Sequence, residues 1–249
     1  MEVIYQQLKT VDILAIGVHP DDIELSCAGT LLSHLEMGYT VGLLDLTRGE
    51  LGTRGNAIIR KNEATQAALK MGADFRIQLD LKDGFFGNTE QELIDIIKVI
   101  RRAKPRLVLA NALSDRHPDH GRAAKLSSDA CFYAGLSKII TTDENGQKQE
   151  RWRPQMLLHY VQDHHLTPDF VVDISHYLEK KIELIQCFDS QFFKESSTEP
   201  TTPISGEDFF EFIRAKAKVY GRPCGYEYAE AFQINQYPGV KDIITSFHL

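Results

Sequence analysis

Two short clusters, His19-Pro20-Asp21-Asp22 and Arg116-His117-Pro118-Asp119-His120, each gather several metal-type ligands within one turn of chain. A catalytic zinc commonly takes three protein ligands and leaves a position for water, whose pKa it lowers toward neutrality. His19, Asp22 and His120 supply such a set, and two histidines with one carboxylate accept Zn2+, Fe2+ or another divalent ion. If Asp21 and Asp22 turn apart where a strand gives way to a helix, one can ligate while its neighbour takes a proton from the attacking water. His117 and His120 share a face on a helical first turn, so one can bind the ion while the other stands beside the reacting carbon. Asp119 lies between them, placed to hydrogen-bond an imidazole from behind and favour its protonated form. A protonated His117 would stabilise an oxyanion or hand a proton to a leaving amine. Either cluster alone also reads as an ordinary helix cap with acidic residues at the positive end of the dipole. The recurrence of His-Pro-Asp at two strand ends is what points to a metal. His34 lies in a helical pattern, His176 and His248 have no such company, and His159, His164 and His165 read either as supports behind the site or as surface residues.

The elements that must position these groups follow from apolar periodicity. An apolar run at 11–18 leads into the first cluster and another at 106–111 into the second. Further runs of strand length fall at 40–46, 75–79, 157–161 and 170–174. Segments of helical period fall at 23–35, 57–71, 90–102, 120–134, 176–189 and 208–220. This alternation predicts one α/β domain over residues 1–249, with a Rossmann-like, mostly parallel sheet and helices on both faces. In such sheets functional groups collect beyond the carboxyl ends of the strands, where the two loops would face one another. The loop at 47–55 carries Gly49, Gly52 and Gly55 and reads as an adaptable lid, and the polar stretch 194–206 reads as a mobile surface loop.

Composition narrows the classes. At 249 residues, with 43% hydrophobic and 25% charged, the chain can bury a full core without covalent staples. A net charge of −7 opposes a general nucleic-acid or anionic-membrane partner. The four cysteines form no C-x-x-C pair and read as small buried hydrophobes. The first residues lack the basic and apolar regions of a secretory signal, and no apolar run reaches the length of a membrane span, which predicts a cytoplasmic protein.

The residues themselves resemble a known family. The strand ending in His19-Pro20-Asp21-Asp22, the segment Leu25-Ser26-Cys27-Ala28-Gly29-Thr30, the loop Thr47-Arg48-Gly49-Glu50 and His117-Pro118-Asp119-His120 are similar to the metal-dependent LmbE/PIG-L-type de-N-acetylases. So are Arg60-Lys61-Asn62-Glu63-Ala64, Asp83-Gly84 and Tyr228-Ala229-Glu230-Ala231-Phe232. The Arg54 and Arg116 positions, Ser190-Gln191-Phe192 and the C-terminal motif most resemble the branch that acts in bacillithiol biosynthesis on N-acetylglucosaminyl malate. The resemblance implies zinc held by His19, Asp22 and His120, with Asp21 as general base. It implies His117 at the oxyanion or as acid, supported by Asp119. It also implies substrate contacts from Arg48, Glu50, Arg54, Asp83 and Arg116, an amino-sugar substrate, and assembly as a homo-oligomer. Asp115 departs from the pattern, since some relatives carry a Tyr there. Guanidinium forks bind carboxylates bidentately, so Arg54 and Arg116 suit a malyl group.

Other N-acetylglucosaminyl conjugates or a chitooligosaccharide would satisfy the same chemistry. Two readings lie further off. A non-haem iron oxygenase uses the same ligand types, but many short strands would be expected there. A nucleotide-binding module needs a G-x-G-x-x-G loop where this chain has His-Pro-Asp-Asp.

Overall fold

The computed structural model describes residues 1–192, 199–242 and 244. Along the chain lie β1 (Glu2–Tyr5), β2 (Ile13–Gly17), α1 (Asp22–Glu36), β3 (Val41–Thr47), α2 (Ala57–Met71), β4 (Phe75–Leu81) and α3 (Glu90–Ala103). There follow β5 (Leu107–Ala110), α4 (Pro118–Ala134), β6 (Met156–Tyr160), β7 (Phe170–Asp173), α5 (Leu178–Ile185), α6 (Phe209–Gly221) and β8 (Ala229–Ile234).

These strands form one eight-stranded sheet in the order β1-β4-β3-β2-β5-β6-β8-β7. The central run from β4 to β6 is parallel throughout, with Ile13 opposite Val41 on one side and Leu107 on the other. The outer strands β1, β8 and β7 pair antiparallel. The strand order reverses direction at β2. β3 and β4 step one way from it while β5 and β6 step the other, which opens a crevice beyond the carboxyl ends of β2 and β5. Both histidine clusters sit at those two ends.

Side chains alternate between the faces of the sheet, as a pleated strand requires. Leu14 and Ile16 join a core with α3 and α4 that includes Ile96, Ile100, Ala123 and Leu126. Ile13 and Ala15 face the other way, against Ile23, Leu31, Ala68 and Leu184 of α1, α2 and α5. Phe209 and Ile213 of α6 pack on that same side with Ala64, Ile185 and Phe188.

A fully buried ion cluster locks α1 to the sheet. Arg76 on β4 donates to both oxygens of Asp45 on β3, at 2.8 and 2.7 Å, and to Oε1 of Glu24 at 2.6 Å. Because Glu24 is in the first turn of α1, the cluster fixes where that helix begins.

The predicted strands and helices are present, with two strands added, β1 at one edge of the sheet and β8 between β6 and β7. The fifth predicted helix is shorter, ending at Ile185. Part of the polar stretch, residues 194–198, lies outside the described residues, as does His248. The cysteines depart from expectation: Cys27 and Cys131 are buried, but Cys187 is half-buried and Cys224 exposed. Among the described residues no helix is long and apolar enough to cross a membrane.

Candidate metal centre and active-site cavity

The first cluster is shaped by a sharp change of direction. Asp21 takes φ 133° and ψ −24°, a region that L-residues rarely occupy, and α1 starts at the next residue. Such strain is retained where surrounding contacts over-determine it. Here the contacts are those of Arg60, a buried residue of α2 that donates to Pro20 O at 2.7 Å and lies 3.2 Å from Asp21 Oδ1. The twist sends the two neighbouring carboxylates apart, Asp21 toward Arg60 and Asp22 into the crevice.

Asp22 is the meeting point of the two clusters. Its Oδ2 lies 3.7 Å from His19 Nδ1, and its Oδ1 lies 3.2 Å from His120 Nε2. The carboxylate also accepts from the His19 backbone N–H at 2.9 Å, from Asn111 Nδ2 at 3.0 Å and from Gln162 Nε2 at 3.1 Å. The far nitrogen of each histidine is held by a buried acid. His19 Nε2 is 3.0 Å from Asp83 Oδ1 and 3.6 Å from Asp119 Oδ2, and His120 Nδ1 is hydrogen-bonded to Asp115. A carboxylate behind a ligating imidazole fixes its tautomer and raises its basicity. Asp22 thus lies between His19 Nδ1 and His120 Nε2. Among the described residues, the groups whose ligand atoms all lie within 4.8 Å of one another, as a single divalent ion requires, are His19 with His117 and His120, and His19 with Asp83 and Asp119.

The charges are arranged to match. Burial alone would lower the pKa of His19, but Asp119, Asp83 and Asp22 raise it to about 9. Burial is likewise outweighed at His120, where Asp22 and Asp115 raise the pKa to about 10. The two histidines hold Asp22 well below the usual carboxylate range despite its burial. Asp21 moves the other way: burial raises it to about 7, with Arg60 pulling it down and Asp22 pushing it up. Two adjacent carboxylates thus have opposite protonation preferences.

His117 caps α4, its Nδ1 accepting from the Asp119 backbone N–H at 3.2 Å. Its ring centroid is 4.8 Å from that of His19 and 5.2 Å from that of His120. Burial and those two neighbours lower its pKa, and with Nδ1 accepting, the Nε2 position is the one free to carry a proton. The Asp119 carboxylate, expected behind the His117 ring, is placed elsewhere. That carboxylate faces His19, accepts from Gly84 N–H at 2.8 Å and pairs with Arg122.

The cluster opens into a cavity of about 310 Å³. His19, Asp21, Asp22, His117 and His120 line its floor, and Asp83 and Arg116 reach it. Three residues expected at the substrate stand elsewhere. Arg48 is on the surface, 3.0 Å from Asp80. Arg54 is buried, donating to the carbonyls of Gln191 and Phe192 at 3.4 Å. Glu50 accepts the Asp83 backbone N–H at 2.8 Å and so braces the acid behind His19. Asp83, expected at a sugar hydroxyl, lines the cavity and is hydrogen-bonded to His19 and to the Leu51 N–H. Arg116 keeps its place on the cavity wall, paired with Asp163 at 2.7 Å.

The sequence reading missed Asp115, Asn111, Gln162 and Arg60 as supporting groups, and the apolar wall of α6. Gln162 and Asp163 follow β6, a third parallel strand end, and that position was the available signal. His159 also stands behind the site, its Nδ1 2.8 Å from Asn111 O.

Comparison with known proteins bears on this constellation. The family described as GlcNAc-PI de-N-acetylase, PIG-L, matches residues 14–131, the stretch that carries both histidine clusters. An uncharacterized deacetylase of Escherichia coli is 34% identical over 49% of this chain and 69% of its own length. The chain belongs to the PIG-L/LmbE deacetylase family. The diacetylchitobiose deacetylase of Thermococcus kodakarensis is 28% identical, covering 92% of this chain and 84% of that protein. The structure of a conserved protein from Thermus thermophilus superposes with a TM-score of 0.81 at 32% identity, covering 93% of this chain and 98% of that one. Likeness to the Thermococcus and Thermus proteins extends well past the matched stretch, over more than nine-tenths of this chain.

Proposed function

We propose that this protein hydrolyses the N-acetyl group of a glucosamine-containing small molecule, with zinc as the resident ion and N-acetylglucosaminyl malate of bacillithiol biosynthesis as the substrate. The observation that carries the reading is the convergence of His19 Nδ1 and His120 Nε2 on Asp22, with Asp21 beside them in the same cavity. When bound there, a divalent ion supplies Lewis acidity to the acetyl carbonyl and to water.

Asp21 takes the proton of the attacking water. With its carboxyl raised to about 7 by burial, it is a better base than a solvated carboxylate and is still ionised to a useful degree at neutral pH. His117 offers its Nε2–H to the carbonyl oxygen as negative charge develops there. The new bond joins the water oxygen to the acetyl carbon, the carbon–nitrogen bond breaks, and the amine leaves with the proton that Asp21 has collected. Acetate and a free amino sugar result. His19 and His120 remain ligands, their far nitrogens held by Asp83 and Asp115.

The reading includes cytoplasmic residence, a small amino-sugar partner with neither nucleic acid nor membrane, and a homo-oligomeric assembly. Acetate release measured side by side from N-acetylglucosaminyl malate, N-acetylglucosaminyl inositol, N,N′-diacetylchitobiose and free N-acetylglucosamine tests it. Preference for the malate compound is expected. Faster turnover of diacetylchitobiose would move the assignment to a chitooligosaccharide, and no acetate from any of them would reject deacetylation of amino sugars.

A further inference from the structure

The malyl part of the proposed substrate requires a cation, and the residues expected to provide it are already committed. Arg54 does not line the cavity and donates to the backbone carbonyls of Gln191 and Phe192. Of the lysine and arginine side chains that line the cavity, Arg60 serves Pro20, Gly49 and Asp21, and Arg116 pairs with Asp163. Lys216 is the third. Its ammonium has no hydrogen bond or ion pair among the described residues.

Lys216 belongs to a continuous helical face. Phe209, Phe212, Ile213 and Lys216 follow the i, i+3, i+4, i+7 spacing along α6, and all four line the cavity that the histidine clusters line. A lysine at the end of an apolar stripe can simply extend its head into water. This one is half-buried. Burial pushes its ammonium down to about 8, Lys181 adds repulsion, and Asp115, Asp163 and Glu230 offset only part of the loss. The charge is present at neutral pH and is short of compensation, the condition an incoming anion relieves.

We propose that Lys216 is the specificity-determining residue of the cavity, receiving an anionic oxygen group, carboxylate or phosphate, on the substituent attached to the amino sugar. This inference rests on the deacetylase reading, and its test separates the two. Steady-state acetate release is measured for the metal-loaded full chain and for Lys216→Met and Lys216→Arg, with N-acetylglucosaminyl malate, N-acetylglucosamine 1-phosphate and the neutral N,N′-diacetylchitobiose as substrates. Lys216→Met is expected to raise KM for an anionic substrate by about tenfold or more while leaving kcat, and the KM for diacetylchitobiose, close to wild type. Lys216→Arg should restore most of the loss. The anion whose KM rises more identifies the source the site is built for. An equal change on all three substrates, no change on either anionic one, or a wild type that turns over only the neutral disaccharide would overturn the inference and leave the deacetylase reading standing. A wild type that releases acetate from none of them would overturn both.

Discussion

At the scale of single residues, neighbours in sequence have been given different tasks by local geometry. Asp21 and Asp22 are adjacent, yet the positive φ of Asp21 separates their carboxylates, and their acidities move in opposite directions because burial prevails at Asp21 while His19 and His120 outweigh it at Asp22. Asp21→Asn is therefore expected to keep the ion, as elemental analysis would show, while turnover falls by about 10²- to 10⁴-fold. Near-normal turnover in that variant would remove Asp21 as the base. His120→Ala should instead lose the ion itself, and full metal content in the purified variant would contradict the ligand assignment. Residue types and strand ends made these groups legible in the sequence. The partner of Asp119 was not legible, because successive helix residues are rotated by about 100° about the axis and Asp119 cannot point where His117 points. The same blindness applies to Arg54, whose carbonyl partners lie at a sequence separation of 137 and 138.

Elements hold the residues through a few tight contacts that substitutions can probe. Gly49, with φ +63°, passes so close to Arg60 that a Cβ there would fall 2.0 Å from its guanidinium. Gly49→Ala is expected to push Arg60 off Pro20 and Asp21, lowering kcat more than it raises KM; unchanged kinetics would mean that Arg60 does not set the base. The Arg76 cluster offers a second probe. Removing the guanidinium leaves Asp45 and Glu24 buried without their counter-charge, so Arg76→Ala should destabilise the fold by about 3–5 kcal/mol in denaturant titration. A loss under about 1 kcal/mol would show that α1 is anchored by packing alone. The parallel strands were readable because burial on both faces makes them continuous apolar runs. β8 was not read as a strand. Its Glu230 looks like a surface residue until Lys181 and the N–H groups of Gly29 and Thr30 are seen to surround it. β1 is a four-residue edge strand with little burial to mark it.

Across the whole molecule, the proposed ion would be linked to the fold through the nitrogens of His19 and His120. In protein stripped by a chelator, the folded-state pKa values of His19 and His120, about 9 and about 10, lie above the ordinary imidazole value of 6.5. Their protonation therefore stabilises the fold fully below pH 6.5 and ceases to do so as pH rises through 9 to 10. The chelated protein should lose melting temperature over that window. Adding zinc at about a hundredfold excess over its Kd should add about 2.7 kcal/mol and flatten the slope, because binding displaces those protons. A chelated protein whose Tm is level from pH 6.5 to 10 would contradict the assignment of both rings. The placement of α6 has a different consequence. Every group proposed to touch the ion or the moving protons lies between the end of β2 and the first turn of α4, while much of the apolar lining comes from one face of one late helix. Reactivity and selectivity are therefore encoded in separate stretches of chain and can vary independently. Exchanging the four side chains of that helical face should retarget the catalyst toward new conjugates while leaving its chemistry intact.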